Sequence, residues 1–189
     1  MDKYTKGYLT YIEETKDIDM SEQYEFFMQY VPKGSKILDA GFGSGRDIAF
    51  FKQHYDVTGI DLSQEFVDYV KTNIHQNVQQ MDILNLKFDN EFDAIWACAS
   101  LVHFNESELH RSFEQFQSIL KKHGILYASF KTYGNELIIN NIRYSQKELY
   151  EIFSNFFLLV KHQSSFSDFN DQTWTSFILL KVDSSYKNI

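Results

Sequence analysis

Most of the chain alternates short apolar runs, typical of strands, with longer stretches that carry apolar residues at helical spacing. The strand-like runs of this alternating part are residues 36–39, 57–61, 78–81, 92–98 and 125–130. Consecutive parallel strands need a crossover connection, usually a helix, so the alternation predicts a mostly parallel sheet with helices on both faces. Two further runs, 157–160 and 174–180, have no helical stretch between them and are predicted to form an antiparallel hairpin at one edge. The pattern therefore predicts a three-layer α/β sandwich with a doubly wound sheet.

The length of 189 residues is that of a single domain. We divide it into an N-terminal helical cap over 1–31, a core over 32–182 and a fraying tail over 183–189. Capping residues predict four helix starts and a glycine predicts one helix end. These positions are Ser21, Ser63, Asn105 and Ser145 for the starts and Gly124 for the end.

Acidic residues outnumber basic residues 26 to 18, which gives a net charge of -8. Such a surface repels phosphate backbones and anionic headgroups, so neither nucleic acid nor a membrane is an expected partner. The single cysteine, Cys98, excludes an internal disulfide and a cysteine-based zinc site, and no metal is predicted. No apolar run opens the chain, so we expect a cytoplasmic protein without a leader or membrane anchor. Cys98, Trp96 and Trp174 are predicted to be packing residues.

A glycine-rich segment follows the first strand-like run, where Asp39 is succeeded by Gly41, Gly43 and Gly45. Glycine permits turn angles that other residues resist and lets the backbone approach a ligand closely. The next helix would present its N-terminal N–H groups at the same place, which suits a carboxylate or phosphate. Taken alone, the segment fits a ligand site and a plain structural turn equally well.

Two acids follow the next two runs. Asp61 ends the second run, where a carboxylate can accept hydrogen bonds from both hydroxyls of a ribose, although it would also suit the start of a helix. Asp82 follows the third run and is placed to accept a hydrogen bond from an adenine amino group. The glycines are spaced G-x-G-x-G and not G-x-G-x-x-G, and Asp39 would repel a diphosphate while tolerating an ammonium or a sulfonium. These features favour S-adenosylmethionine over NAD.

With these features, the chain resembles the class I S-adenosylmethionine-dependent methyltransferases, and among them the small bacterial single-domain proteins of the tellurite-resistance type. The segments that carry the resemblance are 37–47, 59–63, 81–83, 92–103 and 124–131. They occur in family order, and the resemblance covers about residues 20–182. It implies a Rossmann-like sheet of seven strands with an antiparallel final hairpin strand. It also implies S-adenosylmethionine as cofactor and S-adenosylhomocysteine as product.

The resemblance assigns the cofactor's methionine part to the first turn. The three glycines would line it, Asp39 would lie near its ammonium, and the backbone around Ala97 would close that side. Arg46 would reach the carboxylate or else pair with a neighbouring acid. Phe42 stands where many relatives have cysteine, and its ring would either wall the methionine pocket or narrow it.

The resemblance also assigns the nucleoside part. Asp61 would hold the ribose hydroxyls, and Leu62 would pack on the adenine. Asp82 and Ile83 would contact the adenine edge.

The acceptor side is less defined. His103 follows the fourth run, where an acceptor should approach, and is either the general base or a residue that only orients its loop. Segment 131–144 is either a lid over the acceptor or an ordinary surface loop and helix cap. In a lid, Tyr133, Arg143 and Tyr144 would shape the pocket, with Arg143 suited to an anionic group. The tyrosines assigned to the same lid are Tyr4, Tyr8 and Tyr11.

The sequence therefore favours methyl transfer to a small-molecule acceptor by in-line displacement, because no added domain is present to hold a large one. A nicotinamide-dependent oxidoreductase would show the dinucleotide glycine spacing. A protein or nucleic-acid methyltransferase would show a basic face or a docking extension. A non-catalytic cofactor-binding or partner subunit fits the same residues. The sequence predicts no oligomeric state.

Overall fold

Nine strands form the central sheet of the computed structural model, which describes residues 7–134, 136–167 and 171–182. The strands are β1 (Lys36–Ala40), β2 (Asp56–Asp61), β3 (Val78–Gln80), β4 (Phe92–Ala97), β5 (Leu120–Tyr133), β6 (Glu136–Ile139), β7 (Ile142–Ser145), β8 (Phe157–Ser167) and β9 (Gln172–Lys181). The helices are α1 (Tyr8–Thr15), α2 (Ser21–Met28), α3 (Arg46–Phe51), α4 (Gln64–Asn73), α5 (Glu106–Ile119) and α6 (Gln146–Ser154). The predicted tail over 183–189 and Tyr4 lie outside the described residues.

The strand order confirms the predicted doubly wound sheet. Strands β3, β2, β1, β4 and β5 lie side by side in that order and are parallel to one another. Strand β9 pairs antiparallel with β5, and β8 pairs antiparallel with β9 at the edge, which is the predicted hairpin. The order reverses between β1 and β4, and in open sheets of this kind ligands bind beyond the carboxyl ends of the strands at such a point.

The segment after the fifth strand-like run forms strands, where a lid or an ordinary surface loop was expected. Strand β5 continues to Tyr133, and β6 and β7 form a hairpin that pairs with its last residues, with Lys131 opposite Ile138. Leu137 and Ile139 of β6 are fully buried in the core, which explains why this segment extends the sheet. The sheet therefore has two strands more than the resemblance implied.

Three of the four predicted helix starts are confirmed. The Ser63 side chain accepts a hydrogen bond from the Phe66 N–H, and Asn105 and Ser145 each form a capping box. The prediction for Ser21 is wrong, because Met20 occupies the N-cap position and the Asp19 carboxylate accepts a hydrogen bond from the Ser21 N–H.

The predicted helix end at Gly124 is also wrong. Helix α5 ends at Ile119, and the chain passes directly into β5, whose pairing with β4 contains a register shift. A Cβ at Gly124 would lie 3.0 Å from the Lys121 carbonyl oxygen and 3.2 Å from that of Asp93. The glycine therefore serves the close approach of β5 to its neighbours and does not end a helix.

Each face of the sheet has its own core. Helices α5 and α6 cover one face, and helices α1 to α4 cover the other. On the second face the rings of Trp96 in β4 and Tyr127 in β5 stack with centroids 3.8 Å apart, and Phe27 and Phe51 pack edge-on against Trp96. Trp96 is therefore a core residue, as predicted. Within the described ranges no helix is long and apolar enough to cross a membrane.

Candidate active site

The turn between β1 and α3 requires its glycines. Gly41, Gly43 and Gly45 have φ angles of 84°, 53° and 78°, in the left-handed region that favours glycine. A Cβ at Gly41 would lie 2.7 Å from the Ser100 Cβ, and a Cβ at Gly45 would lie 2.6 Å from a methyl group of Val70. The side chains of Ser100 and Val70 therefore pack tightly against the turn, whose backbone lies at the carboxyl end of β1.

Asp61 connects this turn to the next helix. One carboxylate oxygen accepts a hydrogen bond of 2.9 Å from the Gly43 N–H, and the other accepts one of 2.9 Å from the Ser63 N–H. Burial raises the pKa of Asp61, although the hydrogen bonds from these N–H groups lower it in part. Each oxygen keeps a further lone pair, so the carboxylate retains acceptor capacity for ribose hydroxyls. The neighbouring Leu62 side chain is 54% exposed and offers an apolar surface beside it.

Asp82 and Ile83 lie next to Asp61 at the sheet edge. The Met81 N–H donates to the Asp61 carbonyl oxygen, and the Asp82 carboxylate accepts a hydrogen bond of 2.9 Å from the Leu84 N–H. Asp82 is exposed and caps a short 3-10 turn, whereas Ile83 is buried. The structure thus places both predicted adenine contacts beside the ribose candidate.

Arg46 forms an ion pair with Asp47, which was one of its two predicted roles. The Arg46 Nε lies 2.7 Å from Asp47 Oδ1, and its Nη2 lies 3.1 Å from Oδ2. The same carboxylate also accepts hydrogen bonds from the Tyr24 hydroxyl at 2.7 Å and the Trp96 indole N–H at 2.8 Å. Burial alone would raise the pKa of Asp47, but the Arg46 charge and these donors hold it below its usual value. Asp47 therefore fixes the orientation of the Arg46 guanidinium.

Asp39 is the residue whose environment most clearly calls for a ligand. Its side chain is 1% exposed, and its Oδ2 has no hydrogen-bond partner among the described residues. Burial and the negative charge of Asp47 raise its pKa well above the usual value. Because an unpaired buried polar atom is costly, a cationic donor at the end of β1 would stabilise this carboxyl. Ala97, at the end of the adjacent strand β4, is fully buried.

A cavity of about 710 Å³ opens beyond the glycine turn. One side is formed by the turn, where Phe42 is a wall residue, together with Tyr11 and the segment 18–23. Further lining residues come from β5, β8 and β9 of the sheet. The side chains along it that could bind or react with a ligand include Arg46, Cys98, His103, Ser129, Lys131 and Trp174. In the described part of the chain, no group of three or more His, Cys, Asp or Glu side chains is arranged to hold a metal ion.

Of the predicted acceptor residues, the structure brings His103 and Tyr11 to this cavity, whereas Tyr8 is not among its lining residues. Tyr133 is 60% exposed, and the Arg143 guanidinium lies over its ring at 4.5 Å while also pairing with Glu136. Tyr144 is buried in the core that α5 and α6 cover. Tyr133, Arg143 and Tyr144 are not among the residues that line the cavity.

The sequence analysis missed several cavity residues. Ser129 was given no role, Lys131 was included only as the first residue of the segment 131–144, and Cys98 and Trp174 were assigned to packing, yet all four line the cavity. The alternation of residue types along β5 could have revealed this face of the cavity. Tyr127, Ser129 and Lys131 occupy one face of the strand, and the apolar Ala128 and Phe130 occupy the other. Polar residues at every second position indicate a face that is not fully packed against a core.

The glycine turn after β1 and the acid at the end of β2 lie on a sheet that has the strand order of a Rossmann-like fold. Residues 37–124 match the family model described as a methyltransferase domain. The match covers a little under half of the chain and contains the glycine turn and Asp61, so the similarity to methyltransferases is supported over this part.

Among curated proteins, the chain is similar to YqeM of Bacillus subtilis (strain 168), which is named as a candidate methyltransferase. The two are 28% identical over 113 residues, which cover 53% of this chain and 46% of that protein. The matched region thus spans about half the length of this relative.

Two solved structures confirm the fold. The 1,6-didemethyltoxoflavin-N1-methyltransferase of Burkholderia thailandensis, with bound 1,6-didemethyltoxoflavin and S-adenosylhomocysteine, superposes with a TM-score of 0.76 at 20% identity, covering 95% of this chain and 84% of that one. A TehB-like S-adenosylmethionine-dependent methyltransferase from Corynebacterium glutamicum ATCC 13032 superposes with a TM-score of 0.68 at 18% identity, covering 87% and 89%. At these identities the likeness shows the shared fold.

Proposed function

We propose that the protein is an S-adenosylmethionine-dependent methyltransferase that acts on a small-molecule acceptor. The observation that carries this proposal is the buried Asp39 carboxyl, whose Oδ2 lacks a partner beside a glycine turn that opens on the cavity. A volume of about 710 Å³ lies in the range typical of small-molecule sites. The net charge of -8 argues against a nucleic-acid substrate.

The residues of the turn and the adjacent strand ends fit the cofactor. Asp39 would hold its ammonium, Arg46 its carboxylate and Asp61 its ribose hydroxyls. Leu62, Asp82 and Ile83 would contact the adenine. When bound, the cofactor supplies a methyl group activated by a sulfonium. The protein then has to orient the acceptor in line with that methyl and exclude water, which contributes up to about 7–11 kcal/mol in favourable cases.

Calorimetry should show binding of S-adenosylmethionine and S-adenosylhomocysteine and no binding of NAD. Asp61→Ala should weaken binding of both ligands roughly tenfold, about 1.4 kcal/mol, because the ribose loses its carboxylate partner. Asp56→Ala, at the exposed start of the same strand, is the control and should bind as the wild type does. Tight NAD binding without S-adenosylhomocysteine binding would refute the proposal.

A methyl label carried from the cofactor into a metabolite pool would identify the acceptor, whereas absence of transfer would favour a non-catalytic subunit.

We place His103 as the general base for an acceptor that is protonated at the assay pH. Burial and the charge of Lys131 lower the pKa of His103, so its imidazole is neutral and able to accept a proton at neutral pH. His103→Ala should lower kcat about a hundredfold while S-adenosylhomocysteine binding is retained. In the wild type, kcat/KM should be highest above the pKa of His103 and fall as the pH drops through it, with a midpoint below about 6.5. His162→Ala, exposed on β8, should behave as the wild type. An unchanged kcat for His103→Ala at saturating cofactor would exclude the role of base.

A further inference from the structure

We propose that the acceptor carries an anionic group, such as a carboxylate, and that Lys131 binds this group inside the cavity. The inference rests on the proposed function, since it names the substrate class of the same site.

Five of the strand residues that line the cavity form what we call the sheet floor: Ser129 and Lys131 of β5, Trp174 and Ser176 of β9, and Ser165 of β8. These residues lie on one face, because Ser129 is paired with Ser176 in the ladder, Lys131 with Trp174, and Trp174 with Ser165. Lys131 is the only charged residue of the sheet floor. Its ladder partners on either side are Ile138 and Trp174, so its backbone is held from both edges.

The Lys131 ammonium has no acidic partner among the residues that the structure describes. No carboxylate in the described ranges forms an ion pair with it, and its ammonium lies over the Trp174 ring, with Nζ 5.8 Å from the centroid. Lys131 is half-buried, and a charge withdrawn from water without a counterion is costly. An anionic ligand would supply the missing partner, and the indole face would hold the ammonium in position.

The positive charge of the cavity is concentrated at Lys131, because its other charged residues are paired or acidic. Arg46 is neutralised by Asp47 on the side of the glycine turn. Asp19 and Glu22 line the cavity on the segment 18–23. His103 lies close enough to Lys131 for that charge to lower its pKa. An acceptor anion would therefore be directed to Lys131, which leaves the rest of the molecule facing the glycine turn, where the methyl group would be presented.

The hydroxyl groups of the sheet floor are arranged for neutral hydrogen bonds. Ser176 is hydrogen-bonded to the Tyr127 hydroxyl at 2.7 Å, and the Ser165 hydroxyl accepts a hydrogen bond from the Gln23 amide at 2.8 Å. Ser129 accepts a hydrogen bond from the Ala99 N–H at 2.9 Å. These hydroxyls carry no charge of their own, so the preference for an anion depends on Lys131.

The test uses the full chain saturated with S-adenosylhomocysteine. Matched acids and amides are titrated by calorimetry: acetate and acetamide, benzoate and benzamide, and indole-3-acetate and indole-3-acetamide. We expect at least one acid to bind roughly tenfold more tightly than its amide, and Lys131→Met to abolish that preference. Lys131→Arg keeps the charge and should retain the preference, and Lys87→Met, an exposed lysine outside the cavity, should leave it unchanged.

The outcomes separate this inference from the proposed function. Failure of the wild type to bind S-adenosylhomocysteine would refute the proposed function. Normal binding of S-adenosylhomocysteine with no preference for any acid, or with a preference that survives Lys131→Met, would overturn only the role of Lys131. Unfolding curves of each variant establish that it is folded. An acceptor from the labelled pool that is neutral or cationic at neutral pH would also overturn the inference.

Discussion

Replacement of Asp47 by alanine is expected to lower the free energy of unfolding by about 3–5 kcal/mol, because it leaves a buried cation without its counterion. The Arg46 side chain is only 18% exposed and pairs with Asp47 through two nitrogens. The Tyr24 hydroxyl and the Trp96 indole N–H would lose their acceptor at the same time. Urea unfolding followed by circular dichroism measures the loss. Because the pKa of Asp47 is lowered by folding, the contribution is present above the unfolded value near 3.9 and is lost as the pH falls through the folded value.

Two further variants test the cause of this loss. Asp56→Ala removes an exposed acid and should change stability by no more than about 0.5 kcal/mol. The double variant Arg46→Met/Asp47→Ala should be more stable than Asp47→Ala alone, since it contains no uncompensated charge. A loss under about 1 kcal/mol for Asp47→Ala, or a double variant less stable than the single one, would contradict this explanation.

Asp39→Asn is expected to weaken binding of S-adenosylhomocysteine about a thousandfold, near 4 kcal/mol, because the amide cannot provide the negative charge that the buried ammonium requires. In the free protein the pKa of Asp39 is raised, so the carboxyl retains its proton to higher pH than usual. An ammonium at Oδ2 would stabilise the ionised form and release that proton. Calorimetry in buffers with different ionisation enthalpies should therefore record proton release by the wild type that exceeds that of Asp39→Asn.

The same variant has an opposite effect on stability without ligand. A raised folded pKa means that the wild type loses stability as the pH rises from the unfolded Asp value, near 3.9, up to the folded value. Asparagine has no such penalty, so Asp39→Asn should be more stable than the wild type above that range and similar to it below pH 3.9. Equal unfolding midpoints at pH 8, or unchanged affinity for S-adenosylhomocysteine, would show that Asp39 is not held for a cation.

The elements of the fold could be predicted where the signal is local. The capping residues Ser63, Asn105 and Ser145 satisfy N–H groups three residues ahead, so the sequence alone contains the interaction. The prediction failed at Ser21 because an acid two residues earlier, Asp19, accepts the hydrogen bond of the Ser21 N–H. It failed at Gly124 because the glycine meets Asp93, a distant strand neighbour that the local sequence does not reveal.

The candidate site also has one part that local sequence predicts and another part that it does not. The glycine turn and Asp61 lie at successive strand ends, so their proximity follows from parallel pairing. The cavity depends on strand order instead. His103, Lys131 and Trp174 are far apart in sequence but share the cavity. Strand β5 continues past its last residue paired with β4, Ala128, and there pairs with β9, which places Trp174 beside Lys131. Arg143 was favoured as the anion-binding residue because its charge was visible, but the hairpin of β6 and β7 takes it to the surface.

The family match ends at residue 124, directly before the part of β5 that contributes to the sheet floor. Further residues that line the cavity come from β5, β8 and β9, while Tyr11 and the segment 18–23 precede the match. Under the proposed function, the residues for donor recognition lie in the matched stretch, whereas much of the acceptor cavity lies outside it. We therefore expect substitutions in these outer stretches to change which acceptor fits the cavity while the glycine turn and Asp61 remain intact.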